Sequence, residues 1–188
     1  TRAAGGVTAH AASAPALGIA GAFDILPWFA HDAYVHYLAP RGLEQFSGGG
    51  WGTRDVCQGP VELLLAQGSF APLRDLLRRV FAAQNAYGDW PQWFMFFERD
   101  RGIRPGDSHG DIIFWPLLAL GQYLLASDDG SVLGETVPFF HHDPAAAEQG
   151  TIGKHVLRAL GLIEASQIPH TSLVGYGRGD RNDSLQPA

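Results

Sequence analysis

The chain has 188 residues, of which 46% are hydrophobic and 17% charged, and its formal net charge is -6 at pH 7. That length fits one domain of roughly 100–200 residues. The balance excludes a charge-rich disordered chain and a strongly basic nucleic-acid binder. No stretch reaches the roughly 18 uninterrupted apolar residues of a membrane span. One cysteine, Cys57, leaves no internal disulfide, so an oxidising compartment is not required. The sequence opens at Thr1 without the basic-then-apolar order of a signal peptide. With the low charge, this suggests a piece of something larger, whose remainder would cover apolar surface.

Residues 1–22 are rich in Ala and Gly with few large anchors, and are expected to form a flexible leader ahead of a domain at 23–188. From Asp24, residues Ile25, Trp28, Phe29, Asp32, Val35 and Leu38 follow helical spacing, with Pro27 placed in a first turn and Pro40 as a stop. A Gly-rich loop from Phe46 to Asp55 leads to a helix carrying Val61, Leu64 and Leu65. Gly68 and Ser69 break it, and Pro72 opens a third helix through Leu73, Leu76, Leu77, Val80 and Phe81. Arg74, Arg78 and Arg79 on that helix read as a solvated face.

Residues 85–111 lack helical period but are dense in aromatics. A loop of that length is uncommon in a compact domain, so two short strands are expected around Gln92–Glu98. Ile112–Ala126 reads as a buried helix that accepts Pro116 near its start. A short segment, Val132–Phe140, and an Ala-rich stretch follow. A last helix is expected over Ile152–Ser166, with Val156, Leu157, Leu160 and Ile163 on its apolar face. The result is an all-α fold of about five or six helices with long loops, paired antiparallel in a toroid or bundle.

Three polar clusters fall in loops beside these helices. The first is Trp51, Arg54, Asp55 and Gln58. Polar forks next to a flat ring suit a sugar, which presents hydroxyls alternating with apolar C–H patches. Equally, Asp55 could cap the following helix. The second is Asp107, Ser108, His109 and Asp111, too few ligands for a metal site and in keeping with an N-cap of the Ile112 helix. His141, His142 and Asp143 read as a turn. The third is Asp180, Asn182 and Asp183. Two acids on a glycine-flanked loop repel, which raises one pKa and suits it to protonate a glycosidic oxygen; the same residues also make an Asx-turn. A phosphate loop is missing, Lys154 being the single lysine, as is the Gly-x-Ser-x-Gly elbow of a serine hydrolase. Cys57 reads as a buried thiol.

Three blocks in order, LEQFSGGGWGTRDVCQGPVELLLA, PGDSHGDIIFWPLLALGQYLL and HVLRALGLIEASQIPHTSLVGYGRGDRNDSLQPA, resemble glycoside hydrolase family 94. This family comprises the inverting β-glucoside phosphorylases and the corresponding domain of cyclic β-1,2-glucan synthases. The first block is most similar to the β-1,2-oligoglucan branch. The resemblance implies an (α/α)6 barrel, of which this chain would be the N-terminal half, needing a C-terminal half or self-association to cover its inner faces. It implies that Arg54 and Asp55 hold the glucosyl unit, with Trp51 and Gln58 beside them. It maps Asp180 and Arg181 onto the start of the family's Asp-Trp-Asn-Asp motif, and Asp183 onto its general acid. Arg181 stands where the family has Trp, which puts sugar stacking there in doubt. The implied partners are a β-glucan oligosaccharide and inorganic phosphate as co-substrate, with no cofactor, no metal and no nucleic acid, and the implied setting is cytoplasmic. The family's phosphate donors would fall beyond Ala188, so the chain alone is expected to be inert. Two other readings stand beside this one. The first is a non-catalytic carbohydrate-binding piece, and the second is an inverting glucosidase, which would need a second carboxylate roughly 6.5–9.5 Å from the first.

Overall fold

Helices dominate the computed structural model, which describes residues 22–38, 50–95, 97–105 and 110–175. The chain divides into two units, residues 1–39 and 40–188. The first contains helix α1, Ala22–Leu38, with Asp24 in its first turn. It begins before the point the sequence suggested, so Pro27 lies in the second turn and removes an i→i−4 bond. Its large side chains Trp28 and Phe29 are 70% and 71% exposed, whereas Ala33 is buried.

The second unit begins with strand β1 (Gly50–Gly52), short helix α2 (Thr53–Cys57), α3 (Gly59–Ala66) and α4 (Phe70–Ala82). Strand β2 (Trp93–Met95) precedes α5 (Phe114–Ser127), β3 (Thr136–Pro138), β4 (Gln149–Thr151) and α6 (Ile152–Ala165), with short 3-10 turns between. The fold is therefore mostly helical rather than all-α. Two antiparallel ribbons supplement the helices: β1 with β2, in the register Trp51 opposite Phe94, and β3 with β4, with Val137 opposite Gly150. Strand β2 lies in the Gln92–Glu98 region, but its partner comes from the Gly-rich loop some forty residues earlier. No helix among the described residues is long and apolar enough to cross a membrane.

Helix α4 is amphipathic, burying Leu73, Leu76, Leu77, Val80 and Phe81, and packs on α5 and α6. Its arginines do more than meet solvent. Arg74 pairs with Asp129 at 2.6 Å and with Glu135, and Arg78 pairs with Glu135 at 2.8 Å, tying α4 to the turn after α5. Helix α5, expected to be buried, hides one face only. Pro116, Ala119, Leu120 and Tyr123 are buried, while Leu125 is 89% exposed.

The apolar face assigned to α6 is corrected by the structure. Ile152, His155 and Ala159 are buried, while Leu157 and Leu160 are exposed. Spacing of i, i+3, i+7 fits this face as well, and the buried histidine decides it. Thr151 caps α6, its hydroxyl accepting from the Lys154 N–H at 3.1 Å.

Outside β2, the aromatic stretch after α4 is held by fixed side chains. The Trp90 indole donates to the Val80 carbonyl at 2.8 Å and meets Phe81 edge-on at 5.4 Å. The Gln84 amide donates to the carbonyls of Gly88 (2.8 Å) and His155 (3.1 Å), which fixes its oxygen toward His155 Nδ1 at 2.5 Å. Phe139 stacks on the imidazole at 3.7 Å. Burial pushes His155 down to about 4, against a smaller opposing effect of the Val137 carbonyl. Each such buried aromatic contributes roughly 1.5–3 kcal/mol through the apolar area removed from water.

Candidate functional site

The first sequence cluster sits where β1 runs into α2. Gly52 is the N-cap of α2, with ordinary extended dihedrals and no side-chain cap bond. Thr53 anchors the junction: its amide donates to the Gln92 carbonyl at 2.9 Å and its buried hydroxyl to the Pro91 carbonyl at 2.5 Å. A short rigid helix therefore leaves the ribbon in a set direction, with Arg54 half-buried and Asp55 exposed. Asp55 caps neither α2 nor α3, whose N-cap is Gln58. A Cβ on Gly52 would stand 2.0 Å from Asp55 Oδ2, so the glycine makes room for that carboxylate.

Arg54 is the centre of a network. Its Nε donates to Gln58 Oε1 at 3.2 Å, one helical turn on, and its Nη1 donates to Asp111 Oδ2 at 3.3 Å. The Trp115 indole donates to the same carboxylate oxygen at 3.1 Å, and the guanidinium carbon lies 4.9 Å from the Trp115 ring centre. Planar guanidinium, carboxylate and ring fix one another's orientation. The pair is about one-third exposed on each side, so its contribution is to geometry more than to stability. Trp51, the middle residue of β1, stands opposite Phe94 in the ribbon and meets its ring edge-on at 6.0 Å.

Asp111 thus belongs with the first cluster rather than acting as the expected cap of the Ile112 helix. Its carbonyl accepts the Phe114 N–H at 3.2 Å, while the residue at the N-cap position of α5 is Ile113, without a side-chain bond. Sequence reasoning missed Trp115 and the Arg54–Asp111 pairing, since 57 residues separate the partners. The i, i+4 spacings of Arg54 with Gln58 and of Asp111 with Trp115 were the available signals. Asp107, Ser108 and His109, together with Asp180, Arg181 and the expected acid Asp183, lie outside the described residues. His141–Asp143 forms a turn: Asp143 accepts from the Ala145 N–H at 2.9 Å and donates its own N–H to His141 Nδ1 at 3.1 Å. Cys57 is buried, its thiol pushed up by burial and then by Asp55.

Arg54, Gln58, Asp111 and Trp115 make a part-exposed group of a forked donor, an amide, a carboxylate and a ring, chemistry suited to a polyhydroxylated ligand. The sequence is similar to part of a phosphorylase. It is 48% identical over 164 residues to the 1,2-beta-oligoglucan phosphorylase of Listeria innocua serovar 6a, a match that takes in 86% of this chain and 15% of that protein. The resemblance drawn from the three sequence blocks agrees with this relative. No family model matches the chain.

Proposed function

We propose that the chain contributes the glucosyl-binding side of the catalytic domain of a β-glucan phosphorylase acting on β-1,2-linked oligoglucans. The observation that carries the reading is the fixed Arg54 guanidinium beside Asp55, in a segment related to a phosphorylase over most of the chain. Arg54 would donate to sugar hydroxyls and Asp55 accept from them, while Asp111, Gln58 and Trp115 hold Arg54 in place. Orientation of this kind lowers the barrier by placing the reacting bond before the reaction begins.

In this reading Asp183 gives its proton to the glycosidic oxygen as the bond to the anomeric carbon breaks. Phosphate attacks that carbon from the opposite face, inverting β to α and releasing α-glucose 1-phosphate. One carboxylic acid suffices, because phosphate is itself the nucleophile, whereas an inverting hydrolase needs a second carboxylate to activate water. The remaining helices of an (α/α)6 barrel would come from the rest of a longer protein, packing on the exposed Leu118 and Leu125 of α5 and Leu157 and Leu160 of α6. The reaction suits the cytoplasm, where inorganic phosphate is plentiful.

Calorimetric titration of the chain with β-1,2-oligoglucan tests the binding half of this reading. Arg54→Ala should weaken binding at least tenfold, the loss of one or more hydrogen bonds to a charged donor. Asp111→Ala should weaken it less while leaving stability within about 1 kcal/mol. Binding unchanged by Arg54→Ala would overturn the assignment.

A further inference from the structure

A second site lies behind the β1–β2 ribbon. A cavity of about 170 Å³ is bounded by Trp51 and Phe94 of the ribbon, the end of α4, residues 98–104 and Phe140. Three of its lining residues are arginines, Arg79, Arg101 and Arg104, against one carboxylate, Glu98. In a chain of net charge -6 three guanidinium groups gather around this one cavity. The volume is below the roughly 300–1,000 Å³ of clefts that take drug-sized ligands, so the occupant is small.

Two of the three arginines hold carboxylates that are more than half exposed, and the third is held by a neutral amide. Arg79 pairs with Asp75 at 2.8 Å and Arg101 with Glu98 at 2.8 Å, both pairs having a partner more than half exposed. Arg104 is bonded to a neutral group, donating from Nη2 to Asn85 Oδ1 at 2.6 Å, and lies with its guanidinium carbon 3.7 Å from the Phe140 ring centre. Its Nη1 is buried and has no acceptor among the described residues. Burial pulls Arg104 down to about 10, Asp89 only partly offsetting it. A desolvated guanidinium short of an acceptor is costly, and an entering anion relieves that cost.

We propose that this cavity is a binding site for a small oxyanion, phosphate-sized, held by Arg79, Arg101 and Arg104 with Trp51 and Phe140 as its walls. Guanidinium forks match tetrahedral oxyanions by paired N–H donors, and the aromatic walls exclude the water that would otherwise screen the charge. The inference stands on these arginines alone and is independent of the proposed glucan chemistry.

The test is calorimetric titration of the full chain with inorganic phosphate, with chloride at matched ionic strength as control, followed by the arginine Nε–H resonances. Saturable phosphate binding that chloride does not reproduce is expected. Arg101→Gln should weaken it roughly tenfold or more, while Arg74→Gln, away from the cavity, should leave it unchanged. Arg104→Gln removes a partly buried side chain and could unfold the region. Ala82→Glu is therefore the second variant: it places a tethered carboxylate at the cavity wall and should abolish phosphate binding with the melting temperature kept or raised. A parallel titration with glucose 1-phosphate identifies the source of the oxyanion. Tighter binding than phosphate assigns the site to a phosphorylated sugar, and equal or weaker binding assigns it to the free ion. Absence of phosphate binding, or binding untouched by both Arg101→Gln and Ala82→Glu, overturns the proposal.

Discussion

Acidification should loosen this protein through one histidine. His155 is fully buried between Phe139, Gln84 and the Val137 carbonyl, and burial pushes it down to about 4. An exposed histidine in the unfolded chain titrates near 6.5. A base with a lowered folded pKa is neutral in the native state while the unfolded chain takes up the proton. Its contribution to stability is therefore complete above about 6.5 and is lost as pH falls toward about 4. At about 1.4 kcal/mol per pH unit, the full loss is roughly 3 kcal/mol, with about 2 kcal/mol gone by pH 5. Glu148 acts lower down, held at about 2 by Arg158 and Lys154, so its contribution is lost only below the usual glutamate range. Asp89, raised by burial, works in the opposite sense and gains stability on protonation. Urea unfolding at pH 7, 6 and 5, with the His155 ring resonance followed by NMR, separates these groups. A midpoint unchanged between pH 7 and 5, or a His155 resonance titrating near 6.5, would refute the reasoning.

Gly52→Ala keeps an allowed backbone (φ -65, ψ 125) but sets its methyl 2.0 Å from Asp55 Oδ2. The carboxylate must move, so oligoglucan affinity should fall several-fold with little change in melting temperature, as titration and a thermal melt would show. Gly88→Ala meets both a positive φ of 122° and the Arg158 carbonyl at 2.7 Å, and should cost roughly 1–3 kcal/mol in a urea titration. Cys57 is buried with its thiol pushed up, so a thiol-specific disulfide reagent should react with it only at the rate of unfolding, and fast labelling in native buffer would contradict its placement.

The helices were legible where one face is apolar and the other charged. Leu73, Leu76, Leu77, Val80 and Phe81 announce α4, and Gly68 and Ser69 mark its upstream boundary, as observed. Pattern alone failed on α6, because Leu157 and Leu160 carry more hydrophobicity than His155, yet the histidine is buried through bonds to Gln84 and Val137 that come from distant segments. The ribbon pairing was hidden for the same reason: Gly50–Gly52 shows no strand alternation, and its partner at Trp93–Met95 is non-local. At the candidate site, residue types and local spacing picked out Trp51, Arg54, Asp55 and Gln58. The oxygen that orients Arg54 belongs to Asp111, which local reading had placed as a helix cap. Asp180, Arg181 and Asp183 rest on sequence alone.

The most direct measurement of the central claim is glucose 1-phosphate release from β-1,2-oligoglucan and phosphate. The protein to use is the Listeria innocua relative with its matched segment replaced by this chain. Phosphate-dependent release that is lost in the Asp183→Asn version and strongly reduced by Arg54→Ala is the result the account predicts. Release that persists in Asp183→Asn, or a folded chimera that binds the glucan yet forms no glucose 1-phosphate, would contradict it.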